Sequence, residues 1–355
     1  MDYIAKTIDL VRKITELAFS EKKKSGFLIG NTAKIDKEGL YFTPLRNTSR
    51  MVIGGVIVYS QKQAIDIAKA VDGQVQYILV DAEKKIPDEL SLTGEPANIE
   101  RAVREAIQHS TLWIYKGNDM TVEAVDTFLT QMTNNSVKGI GGTKIAILGA
   151  GNLGTKIAIK LLERGALVKI TRRNKEILDT IVKAINFIKP IYTTSSVVGT
   201  TNNEEAAKDV EILIGATPGY PVITAEIIYN LADKAIVVDV GKGTLYPEAA
   251  TFAAENNIEI YRLDVSAAFE GLIQTLWSTE NNFKNKMGRR QFRNETLVAG
   301  GLLGMKGEIV VDNISNPKVI YGIADGKGDF IRLTNNDQKK RLQRLEKILC
   351  CHIVK

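Results

Sequence analysis

Apolar positions recur at spacings of three and four in the opening stretch, where Ile4, Ile8, Val11, Ile14 and Leu17 form one stripe. The spacing predicts an amphipathic helix over residues 2–19, ended by the Lys-rich stretch before Gly26. Short apolar runs follow at 27–29 and 51–59; the second is rich in Val and Ile and bounded by polar residues, and reads as a buried strand. Residues 61–71 return to helical spacing, with Ala64, Ile67, Ala68 and Val71 on one side. The pattern then predicts a strand at 77–80, a loop at 87–95, a helix at 99–108 and a strand at 111–115. Strand alternating with helix implies an α/β domain with a largely parallel sheet. Val122, Val125, Phe128 and Leu129 predict a helix over 120–131, with Asp119 or Thr121 as its candidate cap. The polar, glycine-rich residues 134–142 read as a linker.

A second pattern begins at Lys144. A β-type run at 145–148 leads into Gly149-Ala150-Gly151-Asn152-Leu153-Gly154, then into a helix to about Arg164 and a strand at 167–171. Further strands are expected at 212–215, 236–240 and 259–263. This is the element order of a doubly wound Rossmann domain. The tail differs in texture: residues 298–307 are small and glycine-rich, 308–313 and 319–323 read as strands, and Leu342, Leu345 and Leu349 mark a final amphipathic helix over 339–349. The expected fold class is thus α/β: an N-terminal substrate domain at 1–135, a dinucleotide-binding Rossmann domain at 140–283 and a C-terminal extension at 284–355. The stripe of the final helix serves either the core or a homodimer contact.

The G-x-G-x-x-G motif acquires meaning from its place between strand and helix. Gly149 permits the tight turn, Gly151 lets the backbone approach a pyrophosphate, and Gly154 lets helix and strand pack closely. Asn152 and Leu153 open the helix whose N–H groups and dipole face the phosphates. The next strand ends Thr171-Arg172-Arg173, where an NAD site usually carries a carboxylate for the ribose 2′-hydroxyl. Two guanidiniums suit a 2′-phosphate instead, so the expected cofactor is NADP. Thr217 and Pro218 follow the fourth strand of this pattern and Gly241 the fifth, both at the edge where such sheets bind ligands. Lys242, beside Gly241, is placed to reach substrate or phosphate.

The stretch Tyr115-Lys116-Gly117-Asn118-Asp119, followed by a helix, a linker and the glycine motif, resembles shikimate dehydrogenase, as do Ala216-Thr217-Pro218-Gly219 and Asp239-Val240-Gly241. Met120-Thr121-Val122-Glu123 is similar to the dipicolinate synthase A subunit. The resemblance covers roughly 111–275. It implies hydride transfer in a cleft between two domains, with Asp119 at the place of that family's catalytic aspartate. The serine-rich substrate motif and the Thr-x-Pro-x-Lys segment of shikimate dehydrogenases are absent, so shikimate is not the expected substrate.

Hydride transfer needs a proton donor beside the reacting carbon. The chain has two histidines, His109 at a predicted helix end and His352 in the tail, so the Lys116–Asp119 pair is the natural candidate. Arg46, Arg50, Lys62 and Gln274 are further candidates for holding an anionic or polar substrate. Composition closes other routes. Two adjacent cysteines near the end, Cys350 and Cys351, give neither a disulfide framework nor, with two histidines, a metal site. No Gly-x-Ser-x-Gly or His-Glu-x-x-His occurs. The net charge of +6 is spread along the chain without an RNA-module signature, which argues against nucleic acid and for small anionic ligands. With no apolar run of membrane length, a cytoplasmic protein with a small-molecule substrate is expected. The leading expectation is an NADPH-dependent oxidoreductase acting on a small polar carbonyl, imine or unsaturated metabolite. A one-carbon dehydrogenase of the methylene-tetrahydrofolate type and a non-enzymatic NADP(H) sensor working through the tail are the alternatives.

Overall fold

The structure is a computed structural model that describes residues 3–32, 39–88 and 92–353. The predicted loop at 87–95 thus lies partly outside the described residues. The chain forms two compact units, Met1–Leu272 and Ile273–Lys355.

The first unit opens with helix α1 (Tyr3–Ser20), followed by strands β1 (Lys24–Asn31), β2 (Tyr41–Asn47) and β3 (Met51–Val58), helix α2 (Gln61–Val71), strand β4 (Tyr77–Asp81), helix α3 (Ile99–Ala106) and strand β5 (Thr111–Tyr115). The sheet order is β2-β3-β1-β4-β5, parallel except for β2. Side chains alternate across a strand. Val52, Val56 and Val58 of β3 join Phe27, Ile29, Ile78 and Val80 in a core with Ile14 of α1 and Ile67 of α2. The opposite parity, with Gly26, Leu28, Gly30, Ile53 and Tyr115, forms a second face, where Tyr115 reaches across to Gly30: a β-carbon at Gly30 would lie 3.1 Å from its hydroxyl.

Helix α4 (Gly117–Met132) leads to strand β6 (Lys144–Leu148), helix α5 (Asn152–Glu163), strand β7 (Leu167–Thr171), helix α6 (Lys175–Ile188), strand β8 (Val197–Thr200) and helix α7 (Asn203–Ala207). Then come strand β9 (Ile212–Gly215), helix α8 (Ala225–Tyr229), strand β10 (Ile236–Asp239), helix α9 (Pro247–Glu255) and strand β11 (Glu259–Arg262). The order β11-β10-β9-β6-β7-β8 is wholly parallel and is the doubly wound Rossmann arrangement. The order reverses between β6 and β9, so the ligand crevice of such a sheet opens at their carboxyl ends. Helix α4 connects the two sheets: its stripe Val122, Val125 and Leu129 is buried with Ile157 and Leu161 of α5 in one core. Each such side chain contributes about 1.5–3 kcal/mol on full burial.

Helix α10 (Ser266–Asn281) crosses from the first unit into the second. The second unit continues through a π-helical turn (Asn282–Lys286) to strands β12 (Gly288–Phe292), β13 (Glu295–Ala299), β14 (Ile309–Val311) and β15 (Val319–Ile323), helix α11 (Asn336–Leu349) and strand β16 (His352–Ile353). Its sheet runs β12-β13-β14-β15-β16. Leu342 and Leu345 of α11 are buried in that sheet's core, so the stripe has a core partner within the unit.

Candidate functional site

Three glycine-bearing loops meet at the carboxyl edge of the Rossmann sheet. Gly149 has φ +118, a conformation that only glycine adopts readily, and a β-carbon there would fall 2.9 Å from the Ala216 carbonyl. A β-carbon at Gly154 would fall 2.1 Å from the Gly149 carbonyl oxygen, and one at Gly241 would fall 1.9 Å from that of Thr217. Backbone therefore lies on backbone from the β6 loop to the β9 loop to the β10 loop. Gly151 differs: a β-carbon there would meet nothing within 4 Å. It is the N-cap of α5, without a side-chain cap, and its open side is where a phosphate can approach the helix N-terminus.

Polar side chains fasten these loops. The Arg172 guanidinium donates to the Ala150 carbonyl at 2.7 Å, and the Ala150 N–H donates to the Thr171 carbonyl at 2.7 Å. Arg173, one residue on, is exposed, with its guanidinium 5.9 Å from the centre of the Tyr220 ring. Thr217 is buried and its hydroxyl donates to the Tyr220 carbonyl, which shapes the turn containing Pro218. Asp239, at the end of β10, is buried and accepts from Gly243 N, Thr244 N and the Thr244 hydroxyl. Burial alone would raise its carboxyl, but these bonds, with Arg262 nearby, hold it below the usual range. Lys242 sits in this fastened loop with φ 57.

The first sheet meets this edge through the start of α4. Asn118 Nδ2 donates to Asn152 Oδ1 at 3.0 Å, which joins the α4 start directly to the glycine loop. Helix α4 begins at Gly117, three residues before the predicted start, and Asp119 lies in its first turn rather than capping it. The caps come from β4 and the loop after it: Asp81 accepts from Gly117 N at 3.3 Å and Glu83 from Asn118 N at 2.7 Å. Lys85 pairs with both carboxylates, at 2.6 and 2.9 Å. Asp119 is held by Lys116 at 2.7 Å and by Lys156 of α5 at 2.6 Å. These two bonds hold its carboxyl below the ordinary value. Lys156 also reaches Glu83 at 3.4 Å. Burial alone would lower its ammonium, but its bonds to Asp119 and its attraction to Glu83 raise it. The ladder continues with Lys160 to Glu123 and Arg164 to Asp126, at 2.5 and 2.6 Å. Lys116, Asp119, Asn152, Gly151 and the Thr217 loop are therefore brought to one region.

His109 and Lys62 are paired elsewhere in the first unit. His109 pairs with Asp72 at 2.9 Å at the far end of the first sheet's strands. Lys62 pairs with Asp66 on the surface of α2, and Arg50 is exposed in the β2–β3 turn. Gln274 and His352 belong to the second unit. Among the described residues no group of three or more His, Cys, Asp and Glu is placed to hold a metal, and no helix is long and apolar enough to cross a membrane. The sequence reading assigned no role to Asp81, Glu83, Lys156 or Asp239. Only Asp239 had a local signal, an acid at a strand end before Gly-Lys-Gly-Thr, whose backbone it turns.

Residues 144–243 match the family model described as "NADP oxidoreductase coenzyme F420-dependent". Glycerol-3-phosphate dehydrogenase [NAD(P)+] of Clostridium botulinum (strain Alaska E43 / Type E3) is 29% identical over 106 residues, 28% of this chain and 32% of that protein. The Bacillus subtilis (strain 168) enzyme of the same name is 27% identical over 105 residues, 28% of this chain and 30% of that protein. The matches thus span about a third of these relatives. Among solved structures, the dipicolinate synthase A chain from Bacillus subtilis aligns at 16% identity with a TM-score of 0.36, over 71% of this chain and 78% of that one. L-tryptophan dehydrogenase from Nostoc punctiforme aligns at 13% identity with a TM-score of 0.42, over 74% and 77%. The central segment is a Rossmann domain similar to those of NAD(P)-dependent oxidoreductases, as the glycine motif indicated.

Proposed function

We propose that the protein is an NADPH-dependent oxidoreductase that transfers hydride to or from a small polar carbonyl, imine or unsaturated metabolite at the carboxyl edge of the Rossmann sheet. The observation that carries this reading is the glycine loop: two of its three glycines are filled by backbone, and the third, Gly151, opens to space at a helix N-terminus. The NADP-oxidoreductase match over this segment and its NAD(P)-dependent relatives support the same class. Arg173 is the residue for the 2′-phosphate, since Arg172 is committed to the Ala150 carbonyl. The nicotinamide end then belongs by the Thr217 and Gly241 loops. Lys116 and Asp119 are the proton-handling pair: Lys116 is more than half exposed beside the glycine loop, and its ion pair with Asp119 orients it.

Titration with NADPH and NADH, followed by nicotinamide fluorescence, tests the reading. NADPH is expected to bind at least tenfold tighter, and Arg173→Ala to remove most of that difference, about 1.4 kcal/mol per tenfold. Failure of both nucleotides to bind contradicts the proposal. Equal affinity for both contradicts its NADP part.

A further inference from the structure

Four side chains, Arg46, Tyr115, Asp264 and Lys242, come together from separate strands and loops near the proposed nicotinamide end, and the proposed function assigns none of them to the nucleotide. Arg46 lies on β2 in register with Ile53, which places it on the second face of the first sheet. Its guanidinium stacks over the Phe269 ring of α10 at 5.5 Å. The next residue of that helix, Glu270, accepts from Ser49 N at 2.9 Å and from the Ser49 hydroxyl, so the end of β2 is fixed against α10. Tyr115 spans the same face from β5, and Gly30 leaves room for its hydroxyl. Burial keeps that hydroxyl protonated far above its ordinary range; Asp81 and Glu83 push the same way, and Arg46 acts in opposition. Asp264 follows β11 and accepts from the Ser266 hydroxyl and N–H; these bonds, with Arg46 and Lys242 nearby, keep it ionised.

The cluster therefore presents one guanidinium braced by a ring, a second cation from the exposed Lys242, one carboxylate already committed to Ser266, and a neutral phenol. A guanidinium whose plane is braced by an aromatic ring is oriented to meet a planar, bidentate anion. The ionised Asp264 beside it disfavours a dianion such as a phosphate monoester and tolerates a monoanion. Given the hydride-transfer reading above, on which this rests, the site fits an organic acid.

We infer that the substrate carries a carboxylate group and that Arg46, braced by Phe269 and assisted by Lys242, is the residue that holds it, with the Tyr115 hydroxyl as a neutral donor beside it. Arg46 is thus a specificity residue of the reaction and has no part in cofactor affinity.

The test uses the full-length protein saturated with NADPH, with glycolate, a monocarboxylate, and inorganic phosphate as probes, read by the fluorescence of the bound nicotinamide and by thermal shift. Glycolate is expected to bind the NADPH complex at millimolar or lower concentration, with phosphate at least tenfold weaker. Arg46→Ala is expected to weaken glycolate at least tenfold while the NADPH dissociation constant changes less than twofold. Arg46→Lys, which keeps the charge and loses the planar fork, should fall between, and it serves also if the alanine variant does not fold. NADPH binding without any glycolate effect overturns the inference and leaves the cofactor reading standing. Glycolate binding that persists in both variants overturns it equally, and phosphate binding as tightly as glycolate refutes the carboxylate assignment. Absence of NADPH binding overturns the reading beneath it, and this inference with it.

Discussion

Two alanine substitutions three residues apart in the glycine loop should fail in opposite ways. At Gly154 a β-carbon would lie 2.1 Å from the Gly149 oxygen, 3.1 Å from the Gly149 carbonyl carbon and 3.3 Å from Ile147 Cγ2. Ordinary contact needs about 3.4 Å, so α5 and the β6 loop must part by roughly 1 Å, an overpacking that costs about 1–3 kcal/mol. Gly154→Ala should therefore lower the melting temperature of the ligand-free protein by several degrees. Gly151 has φ -89, ordinary for alanine, and its β-carbon meets nothing within 4 Å. The weaker capping by alanine and the smaller entropy of its unfolded chain nearly cancel, leaving stability within about 0.5 kcal/mol. In the complex, however, the methyl group occupies the space through which the pyrophosphate reaches the helix N-terminus. Gly151→Ala should thus leave the melting curve in place and weaken NADPH by about 10- to 100-fold, or 1.4–2.7 kcal/mol. Differential scanning fluorimetry without nucleotide and fluorescence titration with NADPH separate the two effects. A Gly151→Ala protein that binds NADPH like wild type would refute the placement of the phosphate, whatever Gly154→Ala does.

Other residues make sharper claims about structure. Asp239→Asn keeps the shape but loses the charge that gathers three donors of the β10 loop, so it should cost about 1–3 kcal/mol in denaturant unfolding. It should also weaken NADPH through the displaced Gly241. Asp72 accepts from the backbone of Gln108, His109 and Ser110 and from the His109 ring. Burial works to raise its carboxyl, but these bonds bring it far below the ordinary value. Its contribution is therefore complete above the unfolded pKa of about 3.9 and is lost as pH falls through the folded value. The stability gap between wild type and Asp72→Asn should be constant above about pH 5 and narrow in acid; a gap unchanged at pH 3 would count against it. The Lys156–Asp119 pair is about one-third to two-fifths exposed, so a double-mutant cycle should give a coupling below about 1 kcal/mol that shrinks with salt.

The parts of the fold legible in the sequence were those with local periodicity. The stripe of α1, the apolar run of β3, the helix α2 and the glycine loop all carry their own signal, since each element's buried face repeats at its own period. Strand β2 did not: its seven residues are mostly exposed or half-buried and include Pro44, so no alternation marks it, and pairing with β3 alone makes it a strand. The hairpin of β12 and β13 was hidden likewise, because β12 is an exposed, Arg-bearing edge. The start of α4 was misplaced because its caps come from Asp81 and Glu83, more than thirty residues away in the chain. The same distance hid Lys156, which meets Asp119 only once α4 and α5 pack. Linear spacing reveals which residues share a helix face, but a partner on another element is set by tertiary packing. The glycine loop was the exception, since its chemistry is carried by backbone within six consecutive residues.

The most direct test of the account is a crystal structure of the protein grown with NADPH. The account predicts the pyrophosphate over Gly151 at the start of α5, the 2′-phosphate within reach of Arg173, and the nicotinamide beside the Thr217 and Gly241 loops with Lys116 and Arg46 facing the same space. A nucleotide bound elsewhere, or in the crevice with its adenosine end turned toward Thr217 and its nicotinamide toward Arg173, would contradict it.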